Sequence, residues 1–237
     1  MRLLLITGWG FTKEIWQPVE QRLAGKWNVK CLDFLEDFPG EDNNLSYCSQ
    51  LKDKIKYFKP DIVAGWSMGA IVLLETLVKF EMDDFLTVLL AGTACFIQEN
   101  DTGPEGVQPV RLRAMKRGLS RDPVFTLEQF YRLAARPEKT KPKEGMIANP
   151  GYFENQLLEG LEYLGGVDLT DRLDKIDRRI KLIHGRNDAV IPIGAGRYLA
   201  DNLAEGELVE IENGHLIPVQ NPEKLVEILQ KYLEESR

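Results

Sequence analysis

The clearest place for chemistry in this chain is Gly65-Trp66-Ser67-Met68-Gly69. An extended run, Asp61-Ile62-Val63-Ala64, leads into it, and the helix-forming stretch Ala70-Ile71-Val72-Leu73-Leu74-Glu75 follows. A serine at such a strand-to-helix corner points its hydroxyl away from the sheet, and the flanking glycines let the two backbones crowd without Cβ clashes. The free N–H groups of the helix start favour negative charge developing nearby. The bland alternative is a tight structural turn with no chemistry. A serine hydroxyl is a poor nucleophile until an imidazole takes its proton and a carboxylate holds that imidazole in the right tautomer. The search for partners is short, because the chain has only two histidines, His184 and His215.

His215 lies in Asn213-Gly214-His215-Leu216-Ile217-Pro218, a loop between the last expected strand and the last expected helix. His184 closes the strand Lys181-Leu182-Ile183, ahead of Gly185-Arg186-Asn187-Asp188. Hydrolases built on a serine elbow present serine, acid and histidine in that chain order, with the acid on a loop after a late strand. Ser67, Asp188 and His215 satisfy it, with the last two 27 residues apart. His184 precedes the acid and reads as a buried, hydrogen-bonded structural histidine. Asp177 and Asp201 are alternative acids, both in helix-like, solvated stretches. A tetrahedral intermediate also needs two N–H donors. Met68, the residue after the serine, supplies one. The loop Thr7-Gly8-Trp9-Gly10 supplies the other, through Trp9, unless that loop is only a glycine turn.

Short apolar runs alternating with helical patterns must hold these residues in place. Strands are expected at Leu3–Thr7, Val29–Phe34, Asp61–Gly65, Thr87–Ala91, Arg179–His184 and Leu208–Ile211. Helices are expected at Trp16–Ala24, Leu45–Phe58, Met68–Phe80, Gly194–Asn202 and Pro222–Glu235. This is the signature of a mostly parallel sheet with crossover helices. Between Ala91 and Arg179 the alternation stops. Helix-like stretches around Pro109–Leu119, Thr126–Ala135 and Tyr152–Tyr163 are broken by Pro104, Pro123, Pro137, Pro142 and Pro150. The expected organisation is therefore an α/β-hydrolase core, residues 1–95 and 170–237, with a helical lid inserted at 96–169.

A chain of 237 residues, 43% hydrophobic and 28% charged, can fill one such domain. The apolar start Met1–Ile6 is too short for a signal peptide and reads as a first strand, and no run is long enough to cross a bilayer. Cys31, Cys48 and Cys95 suit neither a disulfide framework nor a metal-ligand motif, so a reducing cytoplasm is expected. No metal or cofactor site is expected, since neither a phosphate loop nor a dinucleotide fingerprint occurs. A net charge of −7 disfavours nucleic acid as a partner. Residues 110–144 nevertheless carry ten bases against four acids, a local +6 that leaves −13 on the rest.

These motifs resemble those of the pimeloyl-[acyl-carrier protein] methyl ester esterase family of biotin synthesis. The likeness covers most of the chain loosely and is close at five places. Gly8-Trp9-Gly10 stands where the family has His-Gly-Trp-Gly, with Thr7 in place of the histidine. Gly65–Gly69 is the second place, and Cys95-Phe96 the third. Gly160-Leu161-Glu162-Tyr163-Leu164 with Val167-Asp168-Leu169 is the fourth, and Asp188 with His215 the fifth. The loop Leu35–Asn43 departs from the family's Pro-Gly-x-Gly pattern, and the family's preceding β-hairpin has no counterpart before Leu3. Another class of biotin-pathway esterases, without a large lid, shares a Trp-Ser-Met-Gly elbow.

The resemblance implies an enzyme that hydrolyses the methyl ester of pimeloyl-[acyl-carrier protein], with Phe130 against the acyl chain beside Trp9 and Ser67; a monomer is expected separately. The basic insertion fits an acidic carrier independently of the resemblance, and Arg111, Arg113, Arg132 and Arg136 are the docking candidates. Alternatives are a solvated hydrophilic lid face on a broad small-ester carboxylesterase, a carbon–carbon hydrolase of the same fold, or a non-catalytic binding protein.

Overall fold

A computed structural model describes residues 1–39, 46–98, 103–138 and 142–236. Lys139 and Lys141, two of the ten bases of residues 110–144, and part of the Leu35–Asn43 loop therefore lie outside the described residues. The strands are β1 (Arg2–Ile6), β2 (Asn28–Leu32), β3 (Ile62–Trp66), β4 (Leu86–Leu90), β5 (Arg179–Gly185) and β6 (Glu205–Ile211). They form one sheet in the order β2-β1-β3-β4-β5-β6, and every pairing is parallel. A parallel sheet is covered on both faces, so its central strands tend to continuous rather than alternating apolar runs. Leu3-Leu4-Leu5-Ile6 and Ile62-Val63-Ala64-Gly65-Trp66 are accordingly buried throughout.

The covering helices are α1 (Gln17–Leu23), α2 (Tyr47–Phe58), α3 (Met68–Lys79), α7 (Ile193–Asn202), the short α8 (Ile217–Gln220) and α9 (Pro222–Glu235). α3 is buried over nearly its whole length, being wrapped by α2 and the sheet. α9 is amphipathic, with Leu225, Val226, Leu229 and Tyr232 turned inward, and packs on α1. Between β4 and β5 run α4 (Pro109–Arg121), α5 (Pro123–Ala134) and α6 (Pro150–Gly166), which pack on one another. Pro123 and Pro150, which read as breaks in the sequence, are the first residues of α5 and α6. At that position a missing N–H is no loss and the fixed φ suits the helix. An isolated antiparallel bridge joins Cys95 to Asp168 where the chain leaves and re-enters the sheet region.

Chain order reverses around β1, whose neighbours are β2 and β3. At such a switch point the loops leave the carboxyl ends of adjacent strands in opposite directions and open a crevice. The loop after β1 carries Trp9 and the turn after β3 carries Ser67, so both candidates meet there. The crossing of β3, Ser67 and α3 depends on two glycines. A Cβ at Gly65 would collide with the carbonyl of Gly69, and one at Gly69 would collide with the carbonyl of Thr7. Neither neighbour is a flexible side chain, so nothing can yield cheaply. Gly65→Ala is expected to lose about 3 kcal/mol or more of unfolding free energy in urea titrations, at the upper end of the usual overpacking cost.

Candidate active site

Ser67 occupies the corner between β3 and α3 with φ 56° and ψ −120°, a conformation that L residues rarely adopt. Its own N–H is spent on the Leu90 carbonyl at 2.9 Å, which ties the corner to β4. The side chain faces His215, with Oγ 3.0 Å from Nε2. On the far side of the ring Nδ1 lies 2.7 Å from Asp188 Oδ2. A carboxylate at Nδ1 requires the proton there, which leaves Nε2 as the acceptor for the serine hydroxyl. All three side chains are buried.

Each partner is fixed by its own backbone setting. Asp188 follows β5, and its Oδ1 accepts the N–H groups of Val190 at 2.8 Å and Ile191 at 2.9 Å, so only Oδ2 is left to face the imidazole. His215 follows β6. Its carbonyl accepts a hydrogen bond from Trp66 Nε1 at 2.9 Å, which joins the histidine loop directly to the strand that ends at the serine. Gly185 lets the same loop lie against β5, since a Cβ there would strike the carbonyls of Asn213 and Gly214. Gly214 in turn sits under the backbone of Arg136, and Gln220 Nε2 donates to the Ala135 carbonyl at 2.8 Å. The end of α5 therefore rests on the histidine loop.

His184 is the other histidine near the site, and it does something different. Its Nε2 is 2.9 Å from the Ile191 carbonyl and 3.6 Å from Asp188 Oδ2, so Nε2–H donates to the carbonyl and the carboxylate stays with His215. Burial pushes the His184 pKa below the ordinary histidine value, against the opposing pull of Asp188, and keeps the ring neutral. Asp177 and Asp201, the alternative acids, are exposed and make no bond to His215 among the described residues.

The backbone N–H groups of Trp9 and Met68 have no acceptor among the described residues. Gly8 lets the loop after β1 approach the serine, since a Cβ there would lie 2.9 Å from Ser67 Cβ. Ser67 and Trp9 open into a cavity of about 690 Å³ that reaches under α4, α5 and α6. Its walls are mostly apolar and include Phe96, Met115, Phe130, Leu161 and Val190. Phe130 stands edge-on to Trp9 with ring centroids 4.9 Å apart. Of the four arginines singled out for docking, Arg111 lines this cavity. Arg113, Arg132 and Arg136 are exposed outside it. Arg132 lies 3.3 Å from Glu128 one turn earlier, whereas Arg111, Arg113 and Arg136 have no carboxylate within ion-pair distance among the described residues. No cluster of three or more metal-ligating side chains occurs among the described residues.

Sequence reasoning did not find Tyr131, Trp66 or Gln220 as supports. Tyr131 Oη donates to the Gly10 carbonyl at 2.6 Å and accepts the Ala148 N–H at 3.2 Å. No local signal marks such a residue, since an aromatic at a buried helical position reads as core. For Trp66, its place inside the glycine-serine motif was a usable sign.

Two tests follow from this geometry. In Asp188→Asn the two backbone N–H groups claim the amide oxygen, so the NH₂ meets His215 Nδ1 and forces the wrong tautomer. A kcat loss of about 10³–10⁴-fold is expected with the melting temperature little changed, by analogy with the same change in a serine protease. The second test uses His184, whose folded pKa is lowered. In the window below about pH 6.5 the unfolded chain binds the extra proton, so stability is present above that window and is lost as pH falls through it. Thermal melts at about pH 7.5 and about pH 5.5 should show a drop in the parent protein and a smaller drop in His184→Gln.

Residues 3–228 match the alpha/beta hydrolase family. Among curated relatives, a pimeloyl-[acyl-carrier protein] methyl ester esterase of Nitrosomonas europaea is 26% identical over 233 residues, covering 94% of this chain and 92% of its own. One of the same name from Pseudoalteromonas atlantica is 27% identical and covers 88% and 84%. Among solved structures, an esterase from Exiguobacterium antarcticum superposes with a TM-score of 0.83 at 21% identity, over 99% of this chain and 92% of the other. A bromoperoxidase from Bacillus anthracis gives 0.82 at 18% identity, over 98% and 91%. With its six-stranded parallel sheet and helices on both faces, this chain belongs to the alpha/beta hydrolase family.

Proposed function

We propose that the chain is a serine carboxylesterase acting on the methyl ester of pimeloyl-[acyl-carrier protein], with residues 96–169 as its lid. The observation that carries this reading is the unbroken relay from Ser67 Oγ through the His215 ring to Asp188, opening on an apolar cavity beneath a basic surface. In the proposed reaction Ser67 Oγ attacks the ester carbonyl carbon as its proton passes to His215 Nε2. Asp188 stabilises the imidazolium. The oxyanion is held by the N–H groups of Trp9 and Met68. Collapse expels methanol, which takes the proton from Nε2, and water then releases the free carboxylate by the same steps.

The substrate part of the reading is supported by the names of the relatives, by the volume and apolar lining of the cavity and by charge. An extended acyl chain fits an apolar cavity of about 690 Å³ with Phe130 beside Trp9. The basic character of residues 110–144 would draw a small acidic carrier toward it, with Arg111, Arg113, Arg132 and Arg136 as contacts. Cytoplasmic residence and a monomeric state belong to the same proposal.

Mass spectrometry of the products formed from methyl pimeloyl-carrier protein tests the substrate, and unchanged methyl ester would sink it. Ser67→Ala should abolish turnover while leaving the carrier bound, and His215→Ala should be nearly as severe. kcat/KM on the carrier-linked ester should fall as salt rises, because exposed charges are screened beyond about 10 Å at 0.1 M ionic strength. Arg132→Glu with Arg136→Glu should raise KM for that substrate and barely alter turnover of p-nitrophenyl acetate. Equal losses on both substrates would point to misfolding, and no change on either to a broad esterase without carrier docking.

A further inference from the structure

The loop after β1 is held less by the sheet than by the insertion between β4 and β5. Trp9 Nε1 donates to the Leu157 carbonyl of α6 at 2.8 Å. Gly160, one turn further along α6, lies against the same indole so closely that a methyl group there would come within 2.6 Å of Trp9 Cδ1. The Gly10 carbonyl accepts from Ala148 N at 3.0 Å and from Tyr131 Oη at 2.6 Å, and Ala148 N also reaches Tyr131 Oη. Thr12 continues the seam, with its N–H on the Met146 carbonyl at 3.2 Å and its hydroxyl on the Gly145 carbonyl at 2.7 Å. Gly10 itself is at φ 77°, so the loop turns sharply between the Trp9 and Thr12 anchors.

Burial raises the Tyr131 pKa above the ordinary phenol value, so its hydroxyl stays protonated and available as a donor. The backbone N–H of Trp9 belongs to the residue whose side chain makes the first of these anchors, one residue before the doubly bonded Gly10 carbonyl.

We propose that the insertion is a working part of the oxyanion site: Tyr131 and Gly160 are positioning residues that aim the Trp9 N–H at the developing oxyanion. The inference rests on the reading of Trp9 as an oxyanion donor and deepens it. The same contacts fix the loop to the insertion, so the place of the donor beside Ser67 depends on where α6 sits.

Donors of this kind work only in the transition state, and misplacement by about 1 Å can cost about 10²-fold. Loss of positioning should therefore lower kcat and kcat/KM together and leave KM alone, at every acyl length. A residue that merely shapes the acyl cavity would instead change KM, and more so for longer chains.

The experiment measures kcat and KM for p-nitrophenyl acetate and p-nitrophenyl hexanoate in the parent, Tyr131→Phe, Trp9→Phe and Ser67→Ala. It adds the affinity of a trifluoromethyl ketone, which forms a tetrahedral adduct at the serine. Tyr131→Phe keeps the ring and the Gly10–Ala148 bond, and Trp9→Phe keeps an aromatic wall, so folding is checked by thermal melts. The expected result is a kcat loss of about tenfold for Tyr131→Phe and between about tenfold and 100-fold for Trp9→Phe. The loss should be the same for both esters, with KM within about twofold and a parallel loss of ketone affinity. Unchanged kcat, or losses confined to KM and growing with chain length, would overturn the inference while Ser67→Ala stays inactive. Turnover surviving in Ser67→Ala would instead remove the serine-esterase reading, and this inference with it.

Discussion

The backbone at Ser67 is held at φ 56°, a setting that costs of order 1–3 kcal/mol for a residue with a side chain and persists only when its surroundings dictate it. Here the surroundings are backbone on every side. β3 enters, α3 leaves, the loop after β1 presses in through Gly8, and β4 takes the serine N–H through Leu90. Gly65 and Gly69 exist to let these four pieces meet. Because the corner is built from main chain and from the middle of the sheet, its position varies little, and the other groups can be brought to it.

What is brought comes from far along the chain. His215 reaches Ser67 across 148 residues of sequence, and the order of the sheet makes that distance short in space. β3, β5 and β6 all end on the same edge, so the turns that follow them share one crevice. Asp188 spends one oxygen on its own turn and the other on the imidazole. His184 sits one shell away, neutral and bound to a carbonyl, and competes for neither. Two equally buried histidines beside one carboxylate are thus sorted by the acceptor each faces.

Much of this could be read before any coordinates, for identifiable reasons. The corner announces itself because glycine spacing, an apolar run and a helix former must occur together and in order. His215 was decidable because the chain offers only one rival. The six strands and the helices between them fell within a few residues of expectation, most plainly at β1 and β3, where burial on both faces leaves unbroken apolar runs. What was hidden has a common cause. The bonds from Trp66 to the His215 carbonyl, from Trp9 to Leu157 and from Tyr131 to Gly10 link segments more than a hundred residues apart through one side-chain atom and one carbonyl. Such pairs impose no period and no spacing, and a tryptophan or tyrosine looks the same in sequence whether its polar atom is satisfied by a distant carbonyl or by water. Helix starts suffered similarly, since Pro123 and Pro150 can end one helix or open the next.

The close seat of Gly214 under the Arg136 backbone, with Gln220 holding the Ala135 carbonyl, sets a rule for exchanging parts between relatives. A helical segment that also braces the His215 loop cannot be swapped as a cassette. A hybrid that grafts the segment between β4 and β5 onto a foreign sheet must also carry over Gly214 and Gln220, on which that segment rests. The shape of the apolar cavity and the alignment of the imidazole would otherwise drift together.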